Sequence, residues 1–197
     1  GVDIGVTARD VAFGGQQISV RGLAAEYEDL FLPLHGTHQA QNAAMALAAA
    51  EALLGGAGPL DPDLVRTGFA MATSPGRLEV VRRNPTILLD AAHNPHGAAA
   101  LASAIGDSFD FASLVGVVGV LADKDAVGLL TALETCLDRI VVTEPSFFAL
   151  PGAAAALEAV EVVRGSSNLV LRAAGVVVNR ARPQTTEHAF RLAELHD

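Results

Sequence analysis

The chain has 197 residues, 51% of them apolar and only 5% aromatic, with no Trp and a formal net charge of -9. That supports the core of one large domain or two small ones. The acidic balance and the absence of any basic block argue against a general nucleic-acid binder. No apolar run reaches about 18 residues, so no membrane span is expected. The single Cys136 rules out an internal disulfide and a zinc site of several cysteines. Residues 1–20 lack the basic and apolar regions of a signal peptide, so the natural compartment is the reducing cytoplasm.

Along the chain, ARDVAFGGQQISVRG reads as two alternating strands around Gly14-Gly15. EDLFLPL, residues 28–34, reads as another strand, with Pro33 placing its end at a sheet edge. THQAQNAAMALAAAEALLGG is the clearest helix, with Thr37 as N-cap and Gly55-Gly56 as its stop. LDPDLVRTGFAMAT reads as a shorter helix capped by Asp61, with Pro62 in its first position. SPGR, residues 74–77, is a turn and a domain junction, because a new rhythm follows.

That rhythm is strand TILLD, helix PHGAAALASAIG, strand SLVGVVGVL, helix KDAVGLLTALETCL and strand RIVVTE. Such alternation predicts right-handed crossovers and a parallel sheet, with the VGVVGVL run buried on both of its faces. After Pro145 the pattern weakens. PGAAAALEAVEVV reads as a helix, SNLVLRAAGVVV as one or two strands, and a short helical pattern closes the chain.

Ligands of doubly wound sheets sit beyond the carboxyl ends of the strands. Asp90 ends TILL there, where it could bind a ribose or position a metal-bound water, or simply tie down its loop. His93 precedes the start of a helix, where free N–H groups and the positive dipole end favour an anion; His93 or Asn94 could equally cap that helix. Arg77, after the rigid Pro75-Gly76, could clamp a phosphate or lie solvated at the surface. His38 and Asn42 share one helix face. A buried Asn42 would need partners and could read the edge of a base. Lys124, the only lysine, stands between Asp123 and Asp125 at another strand end; it could balance a phosphate or form a solvated pair. The chain contains no GxxxxGK[ST] loop, no GxGxxG and no GxSxG elbow.

In combination, LPLHGTHQAQNAAMALAA, SPGRLEVVRRNPTILLDAAHNPHGAAAL and VGVVGVLADKDAVGLLTALE resemble the folylpolyglutamate synthase and dihydrofolate synthase family of the Mur-ligase superfamily, over about residues 1–144. The resemblance implies an α/β fold. Residues 1–73 would be the last strands and helices of a central ATP-binding domain, and residues 74–197 a Rossmann-like C-terminal glutamate ligase domain with a mostly parallel sheet. It implies ATP-dependent addition of L-glutamate to a folate through an acyl phosphate, with ATP and Mg2+ as cofactors. The phosphate loop and most metal ligands would belong to an upstream N-terminal segment, so that this chain alone is inactive.

Carried over by motif, Asn42 with His38 beside it would contact adenine, Asp90 the ribose, and Arg77 and His93 the phosphates. Lys124 would contact the phosphates or the incoming glutamate. A nucleotide-binding or interaction module without catalysis is the alternative. After IVVTE the family's serine-proline-arginine turn and later Gly-Ser step are not matched. This predicts a divergent tail from about residue 145, read as a lost frame near Thr143 or as ordinary divergence at a variable end; the genomic reading frame decides between them.

Overall fold

Gln16, Ile18 and Val20 alternate on one strand, and their side chains are all buried. This period of two sets the first layer of the computed structural model. The structure describes residues 4–54, 58–121, 123–144, 150–166 and 171–178. Strands β1 (Gly5–Ala12), β2 (Gly15–Arg21) and β3 (Glu26–Leu32) form an antiparallel sheet in the order β1-β2-β3. The hairpin loop is Phe13-Gly14, because Ala12 pairs with Gly15; it lies one residue earlier than the Gly14-Gly15 expected. Gly14 supplies the positive φ of +79°, while a Cβ on Gly15 would overlap the carbonyl oxygen of Leu32. On β3, the pairing jumps from Leu30 opposite Ile18 to Tyr27 opposite Val20. This bulge, with Asp29 at φ 56°, turns both Tyr27 and Leu30 inward.

Helix α1 (Thr37–Leu54) and helix α2 (Pro62–Ala70) cover this sheet. Ala40, Ala44 and Leu47 of α1 pack with Ile18, Val20, Leu30 and Leu32, and Val65 of α2 joins them. Small alanines let the helix backbone lie close to the sheet. Thr37 is not the cap. Gly36 holds that position: its carbonyl accepts from Gln39 and Ala40 N–H at 3.1 and 3.4 Å, and its φ is +92°. Only glycine takes that backbone turn without strain. Asp61 caps α2 as expected, its Oδ1 accepting from Asp63 and Leu64 N–H at 2.8 and 3.4 Å. The expected Gly55-Gly56 stop lies outside the described residues.

Glu51 stands in the buried face of α1 at 4% exposure. Its Oε2 accepts from Leu23 and Ala24 N–H, and its Oε1 from the Tyr27 hydroxyl at 2.8 Å. The same hydroxyl accepts from Leu60 N–H at 2.9 Å. One carboxyl group thus ties α1 to the β2–β3 connection, and Tyr27 extends the tie to the approach of α2.

TILL forms β5 (Thr86–Leu89), but it pairs antiparallel with β4 (Glu79–Arg83) in a sheet of its own. The expected parallel placement is corrected by a tight loop, Asn84-Pro85, that makes the neighbouring strand the nearest partner. The parallel sheet holds β6 (Val115–Val118), β7 (Arg139–Glu144) and β8 (Arg172–Val178) in the order β6-β7-β8. Helix α4 (Ala126–Leu133) connects the first two strands and α5 (Leu150–Ser166) the last two. Leu129, Leu130 and Leu133 of α4 and Ala156, Ala159, Val160 and Val163 of α5 bury against Ile140 and Val142.

The α5 set repeats at i, i+3, i+4 and i+7, the helical period expected for PGAAAALEAVEVV. The run VGVVGVL is not buried on both faces: Val117 is 67% exposed. Its strand is the edge of a three-stranded sheet whose helices pack on the Ile140 and Val142 face. The final helical pattern lies outside the described residues.

The chain divides into two compact units. The first is Gly1–Ala92 with Ser103–Asp110, and the second is His93–Ala102 with Phe111–Asp197. Helix α3 (Pro95–Ser108) contributes residues to both.

Candidate functional site

Within the first unit, α1 presents Gln39, Asn42, Ala46 and Ala50 along one wall of a cleft of about 540 Å³. Leu64, Gly68 and Phe69 of α2 form the opposite side. Asn42 is exposed rather than buried, and among the described residues its amide makes no hydrogen bond. It therefore offers a free donor and a free acceptor beside apolar walls, which suits the polar edge of a flat heterocycle. His38 lies one turn earlier on α1, half-buried against Gly36, where an added Cβ would meet its ring at 2.8 Å.

The SPGR segment is a turn closed by the Arg77 N–H donating to the Ser74 carbonyl at 3.2 Å, with Gly76 at φ +70°. Arg77 leaves this turn exposed, and among the described residues its guanidinium meets no carboxylate. A rigid turn ending in an unpaired guanidinium suits an anionic ligand. Asp90 is more occupied. Its Oδ2 accepts from Leu78 N–H and its Oδ1 from Ala92 N–H, both at 2.7 Å. It ties the strand end to the turn after Arg77 and keeps one further lone pair on each oxygen.

Arg77 also lines a second cavity of about 470 Å³ with His35, Glu79 and Arg83. His35 is 8% exposed, its ring lies 5.0 Å from that of Phe109, and its Nδ1 is buried with no partner. Burial pushes its pKa below the ordinary imidazole value. The unfolded chain then binds more protons than the folded one between the two values, so stability falls as pH drops below about 6.5. His35→Phe is expected to flatten this dependence. Urea midpoints at about pH 7.5 and about pH 5.5, equal for the parent chain, would contradict it. Sequence reasoning passes over His35, because nothing in HGTH separates a buried ring from an exposed one.

In the second unit, Asn94 caps α3: its carbonyl accepts from Ala98 N–H at 3.0 Å and its Oδ1 from Gly97 N–H at 2.8 Å. His93 is therefore not the cap; it stands exposed just outside the helix start. Asp125 caps α4 through Gly128 N–H at 2.8 Å, and a Cβ on Gly128 would meet Pro95 Cγ at 2.8 Å. The first turns of α3 and α4 are thus neighbours, and this brings His93 and Lys124 to the same end of the unit. Lys124 Nζ donates to Asp123 Oδ2 at 2.9 Å, which holds the Asp123 carboxyl below its usual range. Burial raises the Cys136 thiol pKa and its Sγ donates to the Leu133 carbonyl, both of which favour the thiol over the thiolate.

Residues 76–197 match the family described as Mur ligase, glutamate ligase domain. The chain belongs to the Mur ligase family. Within it, the chain is 53% identical over 143 residues to a dihydrofolate synthase/folylpolyglutamate synthase of Mycobacterium tuberculosis, covering 72% of this chain and 29% of that protein. It is 37% identical over 127 residues to the protein of the same description from Bacillus subtilis, covering 64% and 30%. The solved Mycobacterium tuberculosis folylpolyglutamate synthase complexed with ADP and AMPPCP aligns at a TM-score of 0.77 with 41% identity, over 98% of this chain and 47% of that one. A second solved form, complexed with ADP, gives 0.70 and 39% over 96% and 47%. The chain therefore spans less than a third of those curated relatives and under half of the solved ones. No described helix is long and apolar enough to cross a membrane.

Proposed function

We propose that this Mur ligase chain is the part of a dihydrofolate synthase/folylpolyglutamate synthase that holds ATP for the ATP-dependent addition of L-glutamate to a folate. The carrying observation is the Asn42 amide on an apolar cleft, without a hydrogen bond among the described residues, in the unit that also presents the Arg77 guanidinium, which meets no carboxylate among them. Asn42 would read adenine, with His38 beside it; Asp90 would accept from a ribose hydroxyl with its spare lone pairs; Arg77 would take the terminal phosphates. Relatives solved with ADP and AMPPCP support the nucleotide.

In the proposed reaction a folate carboxylate oxygen attacks the γ-phosphorus of ATP, giving an acyl phosphate and ADP. The glutamate amine then attacks the acyl carbon, the C–O bond to phosphate breaks, and an amide, inorganic phosphate and a proton leave. A guanidinium on the transferring phosphoryl group stabilises charge where it develops. His93 and Lys124, at neighbouring helix starts, are assigned to the phosphates, and Lys124 alternatively to the incoming glutamate carboxylate. Among the described residues no group of three or more His, Cys, Asp or Glu could hold a metal ion; Mg2+ would come with the ATP phosphates and take most of its protein ligands from the segment that this chain does not span. The reaction also requires the segment of the relatives that this chain does not span, and that segment is the proposed partner. A start of the glutamate ligase domain near residue 74 is supported by the family match from residue 76.

ADP binding by calorimetry tests the nucleotide assignment. Asn42→Leu keeps the size and removes both polar atoms, and is expected to weaken ADP about tenfold, or about 1.4 kcal/mol. Arg77→Ala is expected to weaken it by at least as much. ADP affinity untouched by both changes would remove the basis for this site.

A further inference from the structure

Gln16 breaks the pattern of its strand. The inward positions of β2 are Gln16, Ile18 and Val20, so an amide stands where the period calls for an apolar side chain. Gln16 is 1% exposed, and its polar atoms must be met inside the protein. Its Nε2 donates to the Leu34 carbonyl at 2.8 Å and to the Gly36 carbonyl at 3.1 Å, and its Oε1 accepts from Arg9 Nε at 2.6 Å. Two acceptors on one side and a donor on the other leave the amide a single orientation. Arg9 is in turn drawn towards Asp107, its Nη1 lying 3.6 Å from the Asp107 Oδ2.

The two carbonyls that Gln16 holds bracket His35 and lead into α1. Gly36 starts that helix with a φ of +92°, and it has no side chain with which to fix the turn. Its carbonyl also accepts from Gln39 and Ala40 N–H, so Gln16 grips the atom from which α1 begins. Asn42 stands in the second turn of α1, on the cleft wall. A tilt of the helix start therefore carries the Asn42 amide with it, and a hydrogen bond weakens steeply once its angle is lost. An apolar side chain at position 16 would fill the same space and hold neither carbonyl. We propose that Gln16 is a positioning residue for the nucleotide: locked by Arg9, it fixes the start of α1 and so the direction in which Asn42 presents its amide to the base. This role rests on the assignment of Asn42 to adenine and adds the group that acts through it.

Calorimetric titration of the full chain with ADP and with GDP tests it, because a misdirected Asn42 costs the contact to the base and spares those to ribose and phosphate. The parent is expected to bind ADP about tenfold tighter than GDP or better. Gln16→Leu is expected to cut that ratio about fivefold, by weakening ADP. In an Asn42→Leu background the same change should alter ADP affinity less than about twofold. Arg9→Met keeps the apolar stem and frees the Gln16 amide, and it should cut the ratio about threefold; it decides the matter if Gln16→Leu does not fold. A Gln16 that served the fold alone would weaken ADP and GDP together. A ratio that survives in both variants overturns the positioning role, as does a Gln16→Leu loss that adds in full to that of Asn42→Leu. A parent chain with no preference for ADP, or with one that Asn42→Leu leaves intact, removes the adenine assignment and this role with it. A preference that depends on Asn42 but on neither Gln16 nor Arg9 removes this role alone.

Discussion

Glu51→Ala is expected to cost the first unit about 3–5 kcal/mol, a large share of the stability of a small domain. The side chain is 4% exposed and accepts from two backbone N–H groups and the Tyr27 hydroxyl. Removing it leaves those donors buried without an acceptor, at about 1–3 kcal/mol each when no water replaces it. A cavity beneath α1 adds to the loss. The connection cannot close over the gap freely, because Gly22 is packed so tightly on the carboxyl that even a Cβ there would overlap it. Burial, with help from the hydrogen bond to Glu51, raises the Tyr27 pKa, so the hydroxyl keeps its proton and donates. Tyr27→Phe should therefore be strongly non-additive with Glu51→Ala, with a coupling above about 1 kcal/mol. Urea denaturation of the two single variants and the double variant measures this; a Glu51→Ala cost below about 1 kcal/mol would show that the tie holds nothing.

Glu51 also shows where the sequence is silent. An acid among alanines on a long helix reads as a solvated position, and only the approach of a distant loop makes it a buried anchor. Asp61-Pro62 could be read directly, because its N-cap bonds reach only two and three residues along the chain. Gly36 could not be distinguished from Thr37 as the start of α1, since the choice turns on a positive φ that propensity does not carry. Strand β4 hides in EVVRR, where arginines on an exposed hairpin mask the alternation. TILL announced a strand correctly but not its partner, because pairing direction depends on which neighbour is nearer. In the candidate site, the residue types of Asn42, Arg77 and Asp90 were legible, since each sits at a helix face, turn or strand end. His35 and Arg83 were not, because their shared cavity joins segments far apart in the chain.

Asp90 is where structure and proposed chemistry meet, and two substitutions separate them. Asp90→Ala is expected to cost about 2–4 kcal/mol of stability, because Leu78 and Ala92 N–H both lose an acceptor held at 2.7 Å. Leu78 is buried with a φ of 46°, an unfavourable backbone state that the Asp90 bond helps to hold. Once that bond is gone the turn after Arg77 relaxes, and the guanidinium loses its aim. ADP affinity should fall at least tenfold. Asp90→Asn keeps the size but turns one acceptor into a donor that faces an N–H group. It should recover less than half of the lost stability, and no more of the ADP affinity than the turn itself regains. Serine or threonine at this position keeps one acceptor and shortens its reach. Calorimetric ADP titrations beside denaturation curves for these variants give the two readouts independently. If affinity tracks stability across the series, Asp90 acts on the nucleotide through the turn. If Asp90→Asn restores the fold but not ADP, the carboxyl oxygens themselves meet the ribose. Full ADP affinity in Asp90→Ala would exclude both roles.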